Sequence, residues 1–168
     1  MQSKRREFLV FSSMVTLTSY LDADTHSRLE KTFKEVKDII YEVQKHMFPK
    51  QNRLPAAENL PVIKFLYETM AHKSFDKDIR EFVIEGAREL DNRTEGKFSS
   101  MSINDKEKAL RAYEEIEYGA SWLSRIMTLT MEGMFSDPIY DVNIQEQGWK
   151  ALDTTGGQPR PKMRYLDV

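Results

Sequence analysis

The chain has 168 residues, of which 40% are hydrophobic and 31% charged, and its formal net charge is −2. That is one domain of ordinary size, large enough to bury a core, with no block of like charge to advertise a nucleic-acid partner. Cysteine is absent, which excludes disulfides, thiolate zinc sites, cysteine-ligated iron–sulfur clusters and haem attached through C-x-x-C-H.

Residues 1–23 read as an address rather than as part of the fold. Lys4, Arg5 and Arg6 make a basic start, and Phe8 to Leu21 then carries no charge. Such a run is shorter than the about 20 apolar residues a membrane-spanning helix needs, but it fits the apolar region of a signal peptide. The order Arg5-Arg6-Glu7-Phe8-Leu9 resembles the twin-arginine export motif. Ser12, Ser13, Thr16, Thr18 and Ser19 keep the run mildly hydrophobic, which suits that route. The competing reading is an amphipathic first helix with a basic end.

The body, 24–135, reads as a succession of helices joined by polar loops at 50–59 and 93–100. Leu29, Phe33, Val36, Ile40, Val43 and Met47 step by three and four, which predicts a helix over 24–47 with Ser27 and Glu30 as a capping box. Phe48-Pro49 stops it. A second helix is expected over about 60–73, capped by Asn59 and with Pro61 in its first turn. A third follows over about 76–92, with Ile79, Phe82, Val83, Gly86 and Leu90 inward and Ser74 or Asp76 at its start. The fourth is expected to be the longest, 103–135, opened by Ser102 and Asp105. Its stripe is Ala109, Tyr113, Ile116, Ala120, Leu123, Met127, Met131 and Met134, with Gly119 marking a bend or a close approach. No strand alternation appears. The fold class is all-α: an irregular bundle of about four main helices with an extended C-terminal tail, 136–168.

No catalytic, cofactor-binding or metal-binding residue is identifiable. His26, His46 and His72 form no close ligand pair. Glu114, Glu115 and Glu117 point in different directions on a helix and read as a solvated acidic face. G-x-G-x-x-G, P-loop and G-x-S-x-G patterns are all missing.

The stretch 131–149, MEGMFSDPIYDVNIQEQGW, packs Met131, Met134, Phe135, Ile139, Tyr140 and Trp149 into a segment punctuated by Gly133, Pro138 and Gly148. Apolar groups this dense in poor helix formers need a surface to bury against. That surface is either the chain's own helices or a partner. The methionine series at 127, 131 and 134 carries the same two alternatives, core or adaptable partner face.

The stretch also resembles the signature of the gluconate 2-dehydrogenase small subunit (subunit 3) family, of the form E-G-x-F-x-D-P-x-Y-G-G-N followed by G-W-K. Glu132, Gly133, Phe135, Asp137, Pro138, Tyr140, Asn143, Gly148, Trp149 and Lys150 match, while Asp141 and Val142 replace the two glycines. The resemblance implies an accessory, non-catalytic subunit of an exported sugar or polyol dehydrogenase. It would escort and stabilise a large flavoprotein subunit that carries FAD, with haem c in a multihaem cytochrome as a third subunit. It would hold no cofactor itself and would work in the periplasm, at the inner membrane through the complex. The export signal would be Arg5, Arg6, Phe8 and Leu9, and the partner-binding residues Met134, Phe135, Asp137, Pro138, Tyr140, Asn143 and Trp149. The alternatives are an independent helical binding or regulatory protein and a self-contained enzyme.

Overall fold

The computed structural model describes residues 26–50 and 53–167. The chain divides between residues 34 and 35 into two units. Of the first, the described residues are 26–34, the opening turns of helix α1 (26–47). There the Thr32 hydroxyl donates to the carbonyls of Arg28 and Leu29, each at 3.0 Å. Ser27, expected at the cap, lies inside the helical run.

The second unit holds the rest of α1 together with α2 (Val62–Ala71), α3 (Lys77–Arg93), α4 (Ile103–Glu114), α5 (Glu117–Met134) and the short α6 (Gln147–Ala151). Among the described residues there is no strand, and the fold is all-α. α5 is the central helix and packs against α2, α3 and α4. From α1, the buried Gln44 side chain donates to the Thr130 hydroxyl of α5 at 3.1 Å. The core is an apolar set drawn from every helix, with Ile40, Leu66, Met70, Leu90, Trp122 and Ile126 fully buried.

Helix starts follow their capping residues. Asp76 accepts hydrogen bonds from the backbone N–H groups of Asp78 and Ile79, at 2.8 and 3.1 Å. Ser102 accepts from the N–H of Asp105 at 3.2 Å and donates to its carboxylate at 2.7 Å. Both satisfy first-turn donors that would otherwise lack partners. α2 differs from expectation, because Pro61 itself stands at the cap while Asn59 ends a preceding 3-10 turn, Ala57–Asn59.

The larger correction concerns the single helix expected over 103–135. It is two helices. Ile116 is extended, at φ −99° and ψ 128°, and ends the α4 path. Gly119 then lies so close to α4 that a Cβ on it would fall 1.9 Å from the Tyr113 carbonyl oxygen. Only glycine permits that approach. The bend brings the Tyr113 ring to 5.9 Å from the Trp122 ring, edge to face. Both polar tips are satisfied on α3: the Tyr113 hydroxyl donates to the Gly86 carbonyl at 3.1 Å and the Trp122 indole to the Val83 carbonyl at 3.0 Å. Burial pushes the Tyr113 hydroxyl pKa upward. The inward face of α5 is therefore Gly119, Trp122, Leu123, Ile126, Leu129, Thr130, Gly133 and Met134. Met127 and Met131, on the apolar stripe of the one-helix reading, are 43% and 41% exposed.

The C-terminal segment, expected to be extended and irregular, is irregular but wound. It forms the 3-10 turns Pro138–Tyr140 and Ile144–Glu146, then α6, and a last turn Tyr165–Asp167.

Candidate functional site

The segment leaving α5 is built around two side chains that replace missing backbone partners. Asp137 opens the first turn: its carboxylate accepts from the Ile139 N–H at 3.0 Å, and Pro138 occupies the first turn position, where no N–H is needed. Asn143 is completely buried. Its amide N–H donates to the Ser136 carbonyl at 2.9 Å and its amide oxygen accepts from the Gly148 N–H at 2.8 Å. One residue thus ties the exit of α5 to the entry of α6. The α6 backbone is so near that a Cβ on Gly148 would fall 2.3 Å from the Met134 carbonyl oxygen.

This closure seats Trp149, only 8% exposed, against the end of α5. Its indole N–H donates to the Phe135 carbonyl at 2.7 Å, an acceptor the helix terminus leaves open. Arg160 covers the ring from outside, with its guanidinium carbon 4.6 Å from the ring centroid. The same guanidinium donates to Asp137 at 2.6 Å and to Glu146 at 3.3 Å. The Arg160 hydrogen bond holds the Asp137 carboxyl below the usual carboxylate range, against a smaller opposing effect of burial and with help from the Ile139 N–H.

A second tie lies over α2. Tyr140 meets Phe65 edge to face at 6.0 Å, its hydroxyl accepts from the Tyr165 N–H at 3.1 Å, and the Arg164 guanidinium stands 5.9 Å from its ring. Arg164 also pairs with Glu68 of α2. Met134 and Val142 join Ala57, Leu60, Val62 and Phe65 in one apolar cluster beneath, with Phe135 and Tyr140 packed on it.

Of the residues singled out from the sequence, Met134, Asn143 and Trp149 are buried, and Phe135, Asp137, Pro138 and Tyr140 are half-buried. All seven come together in this one region. Arg5, Arg6, Phe8 and Leu9 lie outside the described residues. Asp141 stands at φ 62°, the left-handed region that favours glycine, and Val142 fills the core beside it. The turn therefore survives the replacement of the two glycines, since aspartate tolerates this conformation better than most residues.

Sequence reasoning missed Arg160 and Arg164. No periodicity links Arg160 to Asp137 across a loop. For the methionines at 127, 131 and 134 the spacing leaves core and partner face open, and the structure divides them: Met134 is buried while Met127 and Met131 are exposed.

The remaining surface offers little acid–base or ligand chemistry. Among the described residues no group of three or more His, Asp or Glu side chains is placed to hold a metal ion. His46 pairs with Glu107, and His72 lies 2.7 Å from the Ser74 hydroxyl. An open groove of about 570 Å³ runs between α3 and α4 over Leu90, Met101, Ala109 and Tyr113. The basic groups on its rim, Arg93, Lys97 and Lys108, are each paired with an acid: Glu89, Glu95 and Asp105. Among the described residues no helix is long and apolar enough to cross a membrane.

A family model described as gluconate 2-dehydrogenase subunit 3 matches residues 21–157. The match takes in α1 to α6 and ends before Arg160 and Arg164. No curated protein and no solved structure matches the chain.

Proposed function

The chain belongs to the gluconate 2-dehydrogenase subunit 3 family, and on that premise we propose that it is the non-catalytic small subunit of an exported, flavin-dependent sugar or polyol dehydrogenase. Membership already makes it a subunit of a multisubunit dehydrogenase. The finer reading is that a large subunit carries FAD and the chemistry, with haem c in a cytochrome subunit passing electrons onward. The small subunit stabilises the flavoprotein and takes it through twin-arginine export to the periplasm, where the complex associates with the inner membrane. The family match carries this reading, and the Arg5-Arg6-Glu7-Phe8-Leu9 order ahead of an uncharged run supports it.

The docking face of this reading is the outer side of α5 and its exit. Met127, Met131 and Phe135 follow at four-residue steps and share a helix face. Large, adaptable apolar side chains exposed on a central helix suit a partner surface. Phe135 and Tyr140 form the rim, and Asp137 and Pro138 set the course of the chain. Met134, Asn143 and Trp149 support it from beneath.

Two experiments test the proposal. Tagged chain purified from cells that make the whole complex brings down a flavin-containing large subunit in stoichiometric amount; recovery of the chain alone overturns the subunit role. Arg5→Lys with Arg6→Lys keeps the charge and removes the guanidinium geometry, leaving dehydrogenase activity in the cytoplasm. Undiminished periplasmic activity in that variant rules out export through these residues.

A further inference from the structure

The chain has nine methionines and no cysteine, so thioether sulfur is its only oxidisable sulfur. The structure sorts these sulfurs sharply. Met70 and Met134 are 0% exposed, whereas Met127 and Met131 stand 43% and 41% exposed one turn apart on α5. Met163, 66% exposed, is more accessible still but lies in the C-terminal segment and not on α5. Accessibility governs which thioethers an oxidant in water reaches.

We propose that Met127 and Met131 form a reversible oxidation site that controls docking of the large subunit. The consequence for docking rests on the docking face proposed above; the selectivity of oxidation does not. The oxidant is a peroxide, the two-electron product that dioxygen gives at a reduced flavin. The thioether sulfur attacks one peroxide oxygen and the O–O bond breaks. That oxygen stays on sulfur as the sulfoxide, while the other leaves with both protons as water. Sulfur is oxidised by two electrons and hydrogen peroxide is reduced by two.

The change is specific to the bound state. A sulfoxide carries a strong hydrogen-bond acceptor where the thioether carried almost none. In the free subunit these side chains face water, so the new dipole is solvated and the fold is undisturbed. In an apolar interface the same oxygen would be desolvated without a donor. Oxidation therefore blocks assembly without unfolding the subunit, and methionine sulfoxide reductases reverse it.

The test uses the full chain and its co-purifying flavoprotein. After graded hydrogen peroxide treatment, tandem mass spectrometry finds Met127 and Met131 converted about tenfold or more faster than Met70 and Met134. The melting temperature of the oxidised subunit stays within error of the untreated one. Its affinity for the flavoprotein falls about tenfold or more and returns after treatment with both reductase classes, which act on opposite sulfoxide epimers. Met127→Leu with Met131→Leu keeps the apolar face, docks normally and is insensitive to peroxide, while Met163→Leu leaves the sensitivity unchanged. Oxidation of Met134 at the same rate as Met131, or unchanged peroxide sensitivity in the double leucine variant, overturns the proposal. Met127→Glu with Met131→Glu separates the two readings. Normal docking of that unoxidised variant disproves the docking face, whereas lost docking with a peroxide-insensitive wild type disproves only the oxidation control.

Discussion

The helical body (35–135) and the segment that follows it (136–167) are held together by different physics. In the body, apolar side chains from five helices meet around α5, and the few buried polar tips, such as those of Tyr113 and Trp122, find backbone carbonyls. In the C-terminal segment only Val142 and Trp149 are buried apolar side chains, and the path is fixed by Asp137, Asn143, Arg160 and Arg164. Hydrophobic burial is non-directional and accumulates with area. Charge-assisted bonds are directional and respond to protonation and salt. The body should therefore resist acid and respond to lost volume, and the segment should respond to lost charge.

The largest expected effect lies in the body. Trp122→Ala removes a fully buried indole and its hydrogen bond to the Val83 carbonyl, costing about 3–5 kcal/mol. Chemical denaturation should show the whole chain less stable, with helical signal lost in one transition. A loss confined to part of the signal would mean that the helices around α5 do not unfold as one unit.

Trp149→Ala carries the comparison into the segment. The indole is nearly buried and donates to the Phe135 carbonyl, so truncation costs about 2–4 kcal/mol. Because the residue is covered by Arg160 rather than by another helix, the expected first event is release of the segment. Limited proteolysis should cut beyond residue 136 while 35–135 stays intact. If thermal melting of the helices falls as far as in Trp122→Ala, the two regions are one cooperative unit and the contrast fails.

Acid offers a milder way to open the segment. The folded Asp137 carboxyl is held below its ordinary range, first by Arg160, so its ionised form is favoured by folding. Its contribution is fully present above the unfolded carboxylate range and is lost as pH falls through the lowered folded value. Protease sensitivity of the segment should rise below that ordinary range, and Asp137→Asn should show the sensitivity already at neutral pH. High salt should act in the same direction more weakly, because Asp137 is largely shielded from solvent. An acid profile identical in wild type and Asp137→Asn would remove Asp137 from the account.

How legible each region was follows from the same division. Helical periodicity reports burial on one face, so α1, α2 and α3 are readable from spacing, while residue type marks Ser102 as a cap and leaves Ser74 and Asp76 as alternatives, of which the structure uses Asp76. The break at Ile116 is not, because Tyr113 before it and Ala120 and Leu123 after it keep the apolar spacing, and Gly119 leaves a bend and a close approach as alternatives without placing either. In the segment, turn residues such as Asp137 and Pro138 announce a turn locally. The Arg160 to Asp137 and Arg164 to Glu68 ties join positions 23 and 96 residues apart and leave no local trace. Trp149 showed this limit most clearly. Its density of apolar neighbours required a surface, but spacing could not say that part of that surface was the end of its own α5.

The smallest expected effect is the cleanest contrast, because one kind of change is made in both regions. Ala112 is exposed on α4, inside a regular helix, and Ala112→Gly should cost about 1 kcal/mol through the added freedom of the unfolded chain. Asp141 already sits at φ 62°, where most L residues are strained by about 1–2 kcal/mol and glycine is not. Asp141→Gly relieves that strain while adding a similar unfolded-state entropy, so its net effect should lie within about 0.5 kcal/mol of zero. Asp141→Val has the opposite character: a β-branched side chain cannot adopt this conformation cheaply, and it should cost about 1–2 kcal/mol. Denaturant midpoints of the three variants give the order Asp141→Gly, Ala112→Gly, Asp141→Val from most to least stable, with the last two close together. An Asp141→Gly variant clearly weaker than Ala112→Gly would mean that the aspartate side chain itself holds the turn, and that backbone conformation is not what the position requires.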